Sequence, residues 1–204
     1  MRDWTREFDI VTSGAALVVT APVLAVAAAA IVFDSPGPVL FRQTRVGREH
    51  RPFEILKLRT MTGAGSQITQ ACDPRVARVG RWLRAAKLDE LPQLWNVLRG
   101  DMSLVGPRPE VPRFVAAYRP AWNELFSVRP GMTDLASIAF RDEESILAGA
   151  RDHERAYREV VMPLKLALAL EGARRSSLGE RPMRGMDNQA VEALHHHVGE
   201  LHRL

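Results

Sequence analysis

Residues 87–109 read KLDELPQLWNVLRGDMSLVGPRP, and this stretch carries most of the information on the fold. Its apolar residues recur at intervals of three and four, which is the spacing of one face of an α-helix. Gly100 follows the last of them, in the position where a glycine commonly ends a helix. We therefore expect a short amphipathic helix, followed by a proline-rich loop at residues 105–112. The apolar stripe consists of Leu88, Leu91, Leu94, Trp95 and Leu98.

Two adjacent carboxylates, Asp89 and Glu90, precede Pro92 at the beginning of this helix. One interpretation is structural, with Asp89 as the helix cap and Glu90 interacting with the dipole of the first turn. The other is catalytic: one carboxylate attacks phosphorus while its neighbour holds a divalent metal ion. Attack on an anionic diphosphate requires charge neutralisation, which a magnesium ion, Mg2+, and arginines would supply. The pattern alone leaves both interpretations open.

The basic residues of the chain are almost all arginines, since only three of 28 are lysines. The formal charge is +4 and the sequence pI is 9.8. A guanidinium group holds phosphate through paired hydrogen bonds, although a GC-rich genome produces the same bias without any function. Arg108 lies between Pro107 and Pro109, which restrict its backbone; a surface turn without a role is the alternative. The other candidate phosphate-binding residues are Lys57, Arg59, Arg84, Arg129 and Arg141.

The first forty residues indicate a membrane segment. Residues 10–33 contain no charged side chain, and a helix of this length extends about 36 Å, enough to cross a hydrocarbon core of about 30 Å. A secretory signal peptide is disfavoured, because the apolar run is too long and acidic residues interrupt the leader. A single spanning helix remains, as does a helical hairpin broken at Ala21-Pro22. Arginines flank both ends, which favours a cytoplasmic location for the rest of the chain.

The remainder of the sequence predicts an α+β fold, mostly helical with a few short strands. A turn cluster at 34–38 ends the apolar helix. Strands are expected at 39–41 and 53–58, with a basic loop over 42–51 between them. Further helices are expected at 75–84, near 113–126 and from about 141.

Other kinds of site have little support in the sequence. Cys72 is the single cysteine, which excludes an intrachain disulfide. The run His195-His196-His197 is interpreted as a solvated helix surface rather than a metal site. There is no Walker-type glycine loop and no zinc-spaced set of ligands. Aromatic residues make up 6% of the chain and are scattered, which argues against a nucleic-acid-binding surface.

These motifs resemble those of the bacterial sugar transferases, small monotopic polyprenyl-phosphate glycosyl-1-phosphate transferases that start surface glycan and glycoprotein glycan assembly. The resemblance runs from about Arg6 to Leu170 and includes the apolar segment with a proline near its middle. Its longest motif is highly specific. The motifs are PGPVLFRQTRVG (36–47), KLRTM (57–61), RVGRWLRAAKLDELPQLWNVLRGDMSLVGPRPE (78–110) and VRPGMTDLAS (128–137).

The resemblance implies transfer of a sugar 1-phosphate from a UDP-sugar to a polyprenyl phosphate, such as undecaprenyl phosphate, with release of UMP. It places the nucleophile on Asp89, which would form a phosphosugar–aspartate intermediate, and Mg2+ binding on Glu90 together with Asp89. Arg59, Arg84 and Arg108 would bind phosphate. An inactive membrane scaffold with the same fold is the alternative, and the intact carboxylate pair argues against it.

The resemblance also implies an architecture: a re-entrant membrane helix with an interfacial anchor (1–38), a catalytic domain (39–170) and a polar tail (171–204). The catalytic domain would rest on the cytoplasmic face of the bacterial inner membrane. The expected partners are a UDP-sugar, a polyprenyl phosphate and the lipid bilayer; a homodimer is left open and nucleic acid is not expected. Family members often have Ser-Pro at the hairpin break, whereas this chain has Ala21-Pro22 with only Thr20 nearby to substitute. The family also usually ends in apolar helices, unlike the polar tail.

Overall fold

A computed structural model describes residues 4–63, 73–117, 119–140, 147 and 152–177. Helices prevail over strands among these residues, which confirms the predicted mixture of many helices with a few short strands. Short 3-10 turns lie at Arg48–His50 and Leu88–Glu90, and a π-helical turn lies at Tyr157–Val161. The strands are β1 (Leu40–Val46), β2 (Pro52–Leu58), β3 (Ser103–Val105) and β4 (Gly131–Thr133). The helices are α1 (Trp4–Asp34), α2 (Arg78–Ala85), α3 (Gln93–Arg99), α4 (Pro112–Ala117), α5 (Arg119–Leu125), α6 (Leu135–Ala139), α7 (His153–Ala156) and α8 (Met162–Ser177).

Strands β1 and β2 form an antiparallel hairpin whose register runs from Leu40 opposite Leu58 to Val46 opposite Pro52. The second strand was predicted correctly. The predicted basic loop over 42–51 is wrong in its first half, because residues 42–46 continue β1. Arginine and threonine alternate there with less exposed neighbours, as an open antiparallel hairpin allows. The charge of the segment suggested a loop, whereas its alternation fits a strand.

Strands β3 and β4 pair in parallel and bring two proline-containing loops together. Gly106 and Gly131 lie backbone to backbone: a Cβ atom built on Gly106 would meet the carbonyl oxygen of Arg129 at 2.7 Å. The Gly131 N–H donates to the carbonyl of Pro107 at 2.9 Å, and Gly106 N–H donates to Thr133 at 3.0 Å. This crossing positions residues 107–109, the Pro-Arg-Pro loop, directly beside β4.

The N-terminal end of α1 packs against α3 and β3. Two side chains of α1 make this junction polar. The Arg6 guanidinium donates to the last carbonyls of α3, at 2.6 Å to Leu98, where the helix dipole favours a cation. The buried Asp9 carboxylate accepts from the Leu104 N–H at 3.1 Å.

The C-terminal end of α1 packs against the same folded body, on α2 and β2. Ala27 and Ile31 share a buried apolar cluster with Leu58 and Leu83. The Asp34 carboxylate accepts from the Val79 N–H at 3.1 Å. Both ends of α1 are therefore attached to one body, and the residues between them are mostly exposed.

Helix α1 is long and apolar enough to cross a membrane by length and composition. It continues through Pro22 as one helical segment. Pro22 has no N–H for the Val18 carbonyl four residues earlier. The Thr20 hydroxyl donates to Ala16 at 2.6 Å, so it does not replace the missing donor. Whether the segment is re-entrant or spanning stays a prediction.

Helix α3 ends at Gly100, whose φ of 91° is the left-handed conformation expected from the sequence. The helix predicted near 113–126 agrees with the helical residues of α4 and α5, and residue 118 between them lies outside the described residues. Helix α8 continues to Ser177, and the predicted division into a catalytic domain and a polar tail stays a prediction. The predicted helix from about 141, Cys72 and the three adjacent histidines lie outside the described residues.

The Asn96 side chain ties α3 to the β-hairpin. It is fully buried; its amide oxygen accepts from the Leu56 N–H at 3.0 Å, and its amide nitrogen donates to the Glu54 carbonyl at 2.7 Å. Both backbone groups would lose their partner if the amide were removed, and a buried polar group without a partner is costly.

We expect Asn96→Ala to lower the free energy of unfolding by roughly 1–3 kcal/mol, because it leaves two backbone groups unpaired. The measurement is the thermal unfolding midpoint of the purified protein in detergent. Arg99→Ala, an exposed change on the same helix, is the control and should shift the midpoint little. Equal midpoints for both variants would contradict the assigned role of Asn96.

Candidate active site

Asp89 and Glu90 lie on the 3-10 turn that precedes α3. Lys87 starts this turn with a φ of 56°, and α3 begins only after Pro92, without a side-chain cap. The interpretation of Asp89 as a helix cap is therefore wrong. Both carboxylates are available for interactions with the rest of the protein.

The Glu90 carboxylate is held by two cations from distant parts of the chain. The Lys57 ammonium group, near the end of β2, donates to Oε1 at 2.8 Å. The Arg108 guanidinium donates to both carboxylate oxygens, with a distance of 3.2 Å to Oε2. Burial alone would raise the pKa of Glu90, but Arg108 and Lys57 hold this pKa well below its usual range. Glu90 is therefore an oriented anion at neutral pH.

The Asp89 carboxylate, unlike that of Glu90, is not held by hydrogen bonds from two cations. Its side chain is buried, and its Oδ1 atom has no hydrogen-bond partner within the described part of the chain. Burial raises the pKa of Asp89 and the charge of Glu90 adds to the rise, against the lowering effects of Lys57 and Arg84. A carboxylate that is neither capping nor paired is a candidate nucleophile or ligand.

Arg84, at the end of α2, lies close enough to Asp89 for the two charges to interact. Burial lowers the pKa of Arg84, and the Asp89 carboxylate opposes this effect. Burial also lowers the pKa of Lys57, and the charge of Arg108 adds to it. Lys57, Arg84 and Arg108 are thus brought together around the carboxylate pair, as the sequence suggested, and their phosphate-binding role stays a prediction.

These residues line one cleft with a volume of about 1870 Å³. Most of the charged side chains along it are basic, so the cleft is suited to an anionic ligand. It extends from the end of the hairpin past the carboxylate pair to α8. The basic residues that line it are Arg42, Arg45, Lys57, Arg59, Arg75, Arg81, Arg84, Lys87, Arg108 and Lys165, and the acidic residues are Asp73, Asp89, Glu90, Glu110 and Asp134.

The Arg59 guanidinium, a predicted phosphate ligand, donates to backbone carbonyls just after α1. Its partners are Pro36 and, at 2.7 Å, Ser35. Arg59 lines the cleft, and its hydrogen bonds also attach the segment after α1 to the end of β2. Its role in phosphate binding stays a prediction.

The remaining predicted site residues are distributed around the Pro-Arg-Pro loop. Pro109 is buried and lines the cleft, whereas Pro107 and Arg129 do not line it. Arg141 lies outside the described residues. The structure thus brings together the predicted residues of 57–59, 84–90 and 108–109.

A second polar cluster of the cleft was not predicted. Arg45 donates to Glu110 at 2.9 Å and to Gln43 at 2.7 Å, and the Tyr157 hydroxyl donates to Glu110 at 2.9 Å. Burial lowers the pKa of Arg45, which Glu110 opposes. A strand assignment over 42–46 would have placed Gln43 and Arg45 on one face, but Glu110 and Tyr157 come from distant parts of the chain.

Asp89 and Glu90 fit a magnesium ion of the kind that is held by one or two carboxylates and by substrate phosphates. A cation would give the Oδ1 atom of Asp89 the partner that it lacks. Glu90 would share its carboxylate between the ion, Lys57 and Arg108. Across the described ranges, no group of three or more His, Cys, Asp or Glu residues could hold a metal ion. The other ligands would therefore come from substrate and water.

We expect the two adjacent carboxylates to affect stability in opposite directions when no divalent cation is present. Asp89→Asn should raise the thermal unfolding midpoint at pH 7, because the raised pKa means that ionised Asp89 opposes folding. The folded state binds the proton of the Asp89 carboxyl group more tightly than the unfolded state does. The stabilisation by Asp89→Asn should therefore develop as the pH rises above 3.8, the ordinary pKa of an aspartate, and should disappear below it.

Glu90→Gln should instead lower the free energy of unfolding by about 1–3 kcal/mol, because it leaves Lys57 and Arg108 without their anion. Midpoints measured in EDTA between pH 3.5 and pH 8 compare the two variants. A destabilising effect of Asp89→Asn at neutral pH would contradict the assignment of Asp89 as an unpaired carboxylate.

Comparison with known proteins places the chain in a family. The model of the family "Bacterial sugar transferase" matches residues 2–167. The chain is 51% identical over 140 residues to the UDP-glucose:undecaprenyl-phosphate glucose-1-phosphate transferase of Caulobacter vibrioides, which covers 65% of this chain and 52% of that protein. It is 46% identical over 144 residues to the undecaprenyl-phosphate glucose phosphotransferase of Komagataeibacter xylinus, covering 65% of this chain and 27% of the relative.

A shorter relative matches over most of its own length. The chain is 42% identical over 132 residues to the putative undecaprenyl-phosphate N-acetylgalactosaminyl 1-phosphate transferase of Bacillus subtilis, covering 63% of this chain and 70% of that protein. The chain spans about half the length of the Caulobacter protein and about a quarter of the Komagataeibacter protein. The family model and the three relatives agree, and the chain belongs to the bacterial sugar transferase family.

Proposed function

We propose that the protein transfers a sugar 1-phosphate from a UDP-sugar to undecaprenyl phosphate or a similar polyprenyl phosphate, with release of UMP. The observation that carries this proposal is the pair of a buried Asp89, whose Oδ1 atom has no hydrogen-bond partner among the described residues, and a Glu90 held by two cations. The basic cleft around the pair suits a diphosphate donor. The relatives are named for transfer of a sugar phosphate to undecaprenyl phosphate. The reaction would be the first membrane step of exopolysaccharide, O-antigen or glycoprotein glycan assembly.

The reaction proceeds through two displacements at one phosphorus atom. In the first, an oxygen of Asp89 attacks the phosphorus that carries the sugar; the bond to the bridging oxygen breaks, and UMP leaves with that oxygen. In the second, a phosphate oxygen of the polyprenyl carrier attacks the same phosphorus, and the bond to Asp89 breaks. Each displacement exchanges one P–O bond for another, so the reaction needs no oxidant and no net proton.

The residues around Asp89 lower the electrostatic cost of these displacements. Arg84 and Arg108 neutralise the diphosphate, which would otherwise repel the attacking carboxylate. Lys57 and Arg108 fix the orientation of Glu90. A magnesium ion held by Asp89, Glu90 and the diphosphate would supply further neutralisation of the leaving phosphate.

Helix α1 enters the membrane from the cytoplasmic face of the inner membrane and returns to it in this proposal. Support comes from the attachment of both of its ends to the same folded body. The middle of α1 exposes apolar side chains such as Val18 and Val19. Exposed aromatic residues, which favour membrane interfaces, stand near the ends of the apolar segment. They are Trp4, Phe8, Phe33 and, on the adjoining α2, Trp82.

We expect Asp89→Asn to abolish release of UMP from UDP-sugars without changing association with membranes. Membranes that contain the wild-type protein should release UMP over many turnovers from at least one UDP-sugar of a panel, and this turnover should require both polyprenyl phosphate and magnesium. Glu54→Gln, a carboxylate change at an exposed ion pair of the hairpin, is the matched control and should retain activity. Undiminished turnover in Asp89→Asn would refute the assignment of the nucleophile.

We expect both ends of α1 to be accessible from the same side of the membrane. Single cysteines at Trp4 and Ser35, introduced in a Cys72→Ser background, should react with a membrane-impermeant maleimide in inverted inner-membrane vesicles and not in spheroplasts. A cysteine at Val19 should be protected in both preparations. Labelling of the two ends from opposite sides would show a spanning helix and contradict the re-entrant one.

A further inference from the structure

Arg108 is held by its side chain, which donates to Glu90 and to the Met132 carbonyl, and also by its own backbone N–H. It lies between two prolines, so this is the one backbone donor of residues 107–109. That N–H donates to the Oδ2 atom of Asp134, at 3.1 Å. From there, the Arg108 side chain extends to the Glu90 carboxylate. The arginine whose guanidinium group holds Glu90 is thus anchored at its backbone by the carboxylate of Asp134, which lies in the turn after β4.

The second carboxylate oxygen of Asp134 caps helix α6. Asp134 is the N-cap of α6, and its Oδ1 atom accepts from the Ser137 N–H at 2.6 Å and from the Ser137 hydroxyl. One side chain therefore connects the start of α6 to the Pro-Arg-Pro loop through separate oxygen atoms. Because α6 is fixed by its packing against α8, its N-cap offers Arg108 a rigid anchor.

We propose that Asp134 is a positioning residue for the transfer reaction, acting through Arg108; this rests on the proposed function. The parallel crossing of β3 and β4 brings the two residues together, and the Gly131 N–H holds the Pro107 carbonyl in place. The bond from the Arg108 N–H to Asp134 adds a restraint at residue 108 itself. The guanidinium group then meets Glu90 and the donor diphosphate at a defined place, where a displacement of about 1 Å is enough to slow a reaction strongly.

The variant Asp134→Asn separates positioning from folding. Asparagine is as good an N-cap as aspartate, so one oxygen still accepts from Ser137 and α6 remains capped. The amide NH2 group that replaces the other oxygen cannot accept from Arg108. We expect kcat to fall by about tenfold to a hundredfold, with a smaller change in KM, while the thermal unfolding midpoint stays near that of the wild type.

Two controls accompany this variant. Asp152→Asn makes the same chemical change at the start of α7, where the carboxylate also accepts from a backbone N–H three residues later, and it should leave kcat unchanged. In an Arg108→Lys background, Asp134→Asn should reduce kcat much less than in the wild type, because the guanidinium group that Asp134 positions is already absent.

Amide hydrogen exchange tests the bond without any substrate. A peptide over residues 105–110 reports on the Arg108 N–H, and its protection should decrease in Asp134→Asn and in Asp134→Ala. If either variant loses this protection and keeps the kcat of the wild type, the proposal is overturned. Unchanged protection in both also overturns it, because the bond then does not hold the loop. A wild-type protein without transfer activity would refute the proposed function, whereas the exchange experiment still measures the anchor.

Discussion

The ion pairs of Glu90 with Lys57 and Arg108 are the interaction on which the rest of the site depends. They join the hairpin, the 3-10 turn and the Pro-Arg-Pro loop, three segments that are far apart in the sequence. Two successive carboxylates in a partly buried place repel each other, and one would otherwise be protonated. Because both cations donate to Glu90, the Oδ1 atom of Asp89 is left without a hydrogen-bond partner among the described residues. The asymmetry between two neighbouring residues of similar chemistry therefore comes from residues elsewhere in the chain.

The features that could be predicted from the sequence are those that short-range patterns determine. The helix ending at Gly100 follows from local spacing, and the two prolines beside Arg108 indicated an arginine with a restricted backbone. The extent of β1 and the anchor at Asp134 depend on partners far away in the sequence, which no local pattern identifies. Charge was misleading in the hairpin, because basic residues suggested a loop where the open face of a two-stranded sheet accommodates them.

The arginine-rich composition has more than one structural origin. Arg6 and Arg59 donate to backbone carbonyls at the ends of α3 and α1, where the helices leave acceptors unsatisfied. Arg84 has the same chemistry but lies beside Asp89 instead. The planar guanidinium group of arginine suits carbonyl groups as well as phosphate, so the number of arginines is no measure of phosphate binding. Only the fold separates the two uses.

The contact between Gly106 and Gly131 limits how this protein can evolve. A methyl group on either residue would collide with the main chain of the opposite segment, and no side chain nearby can move aside to relieve the overlap. Replacing one of these glycines therefore forces the two loops apart. A second substitution at the other glycine cannot compensate, because glycine has no side chain that could be made smaller. A saturation library should therefore be as intolerant at these two glycines as at a buried core position.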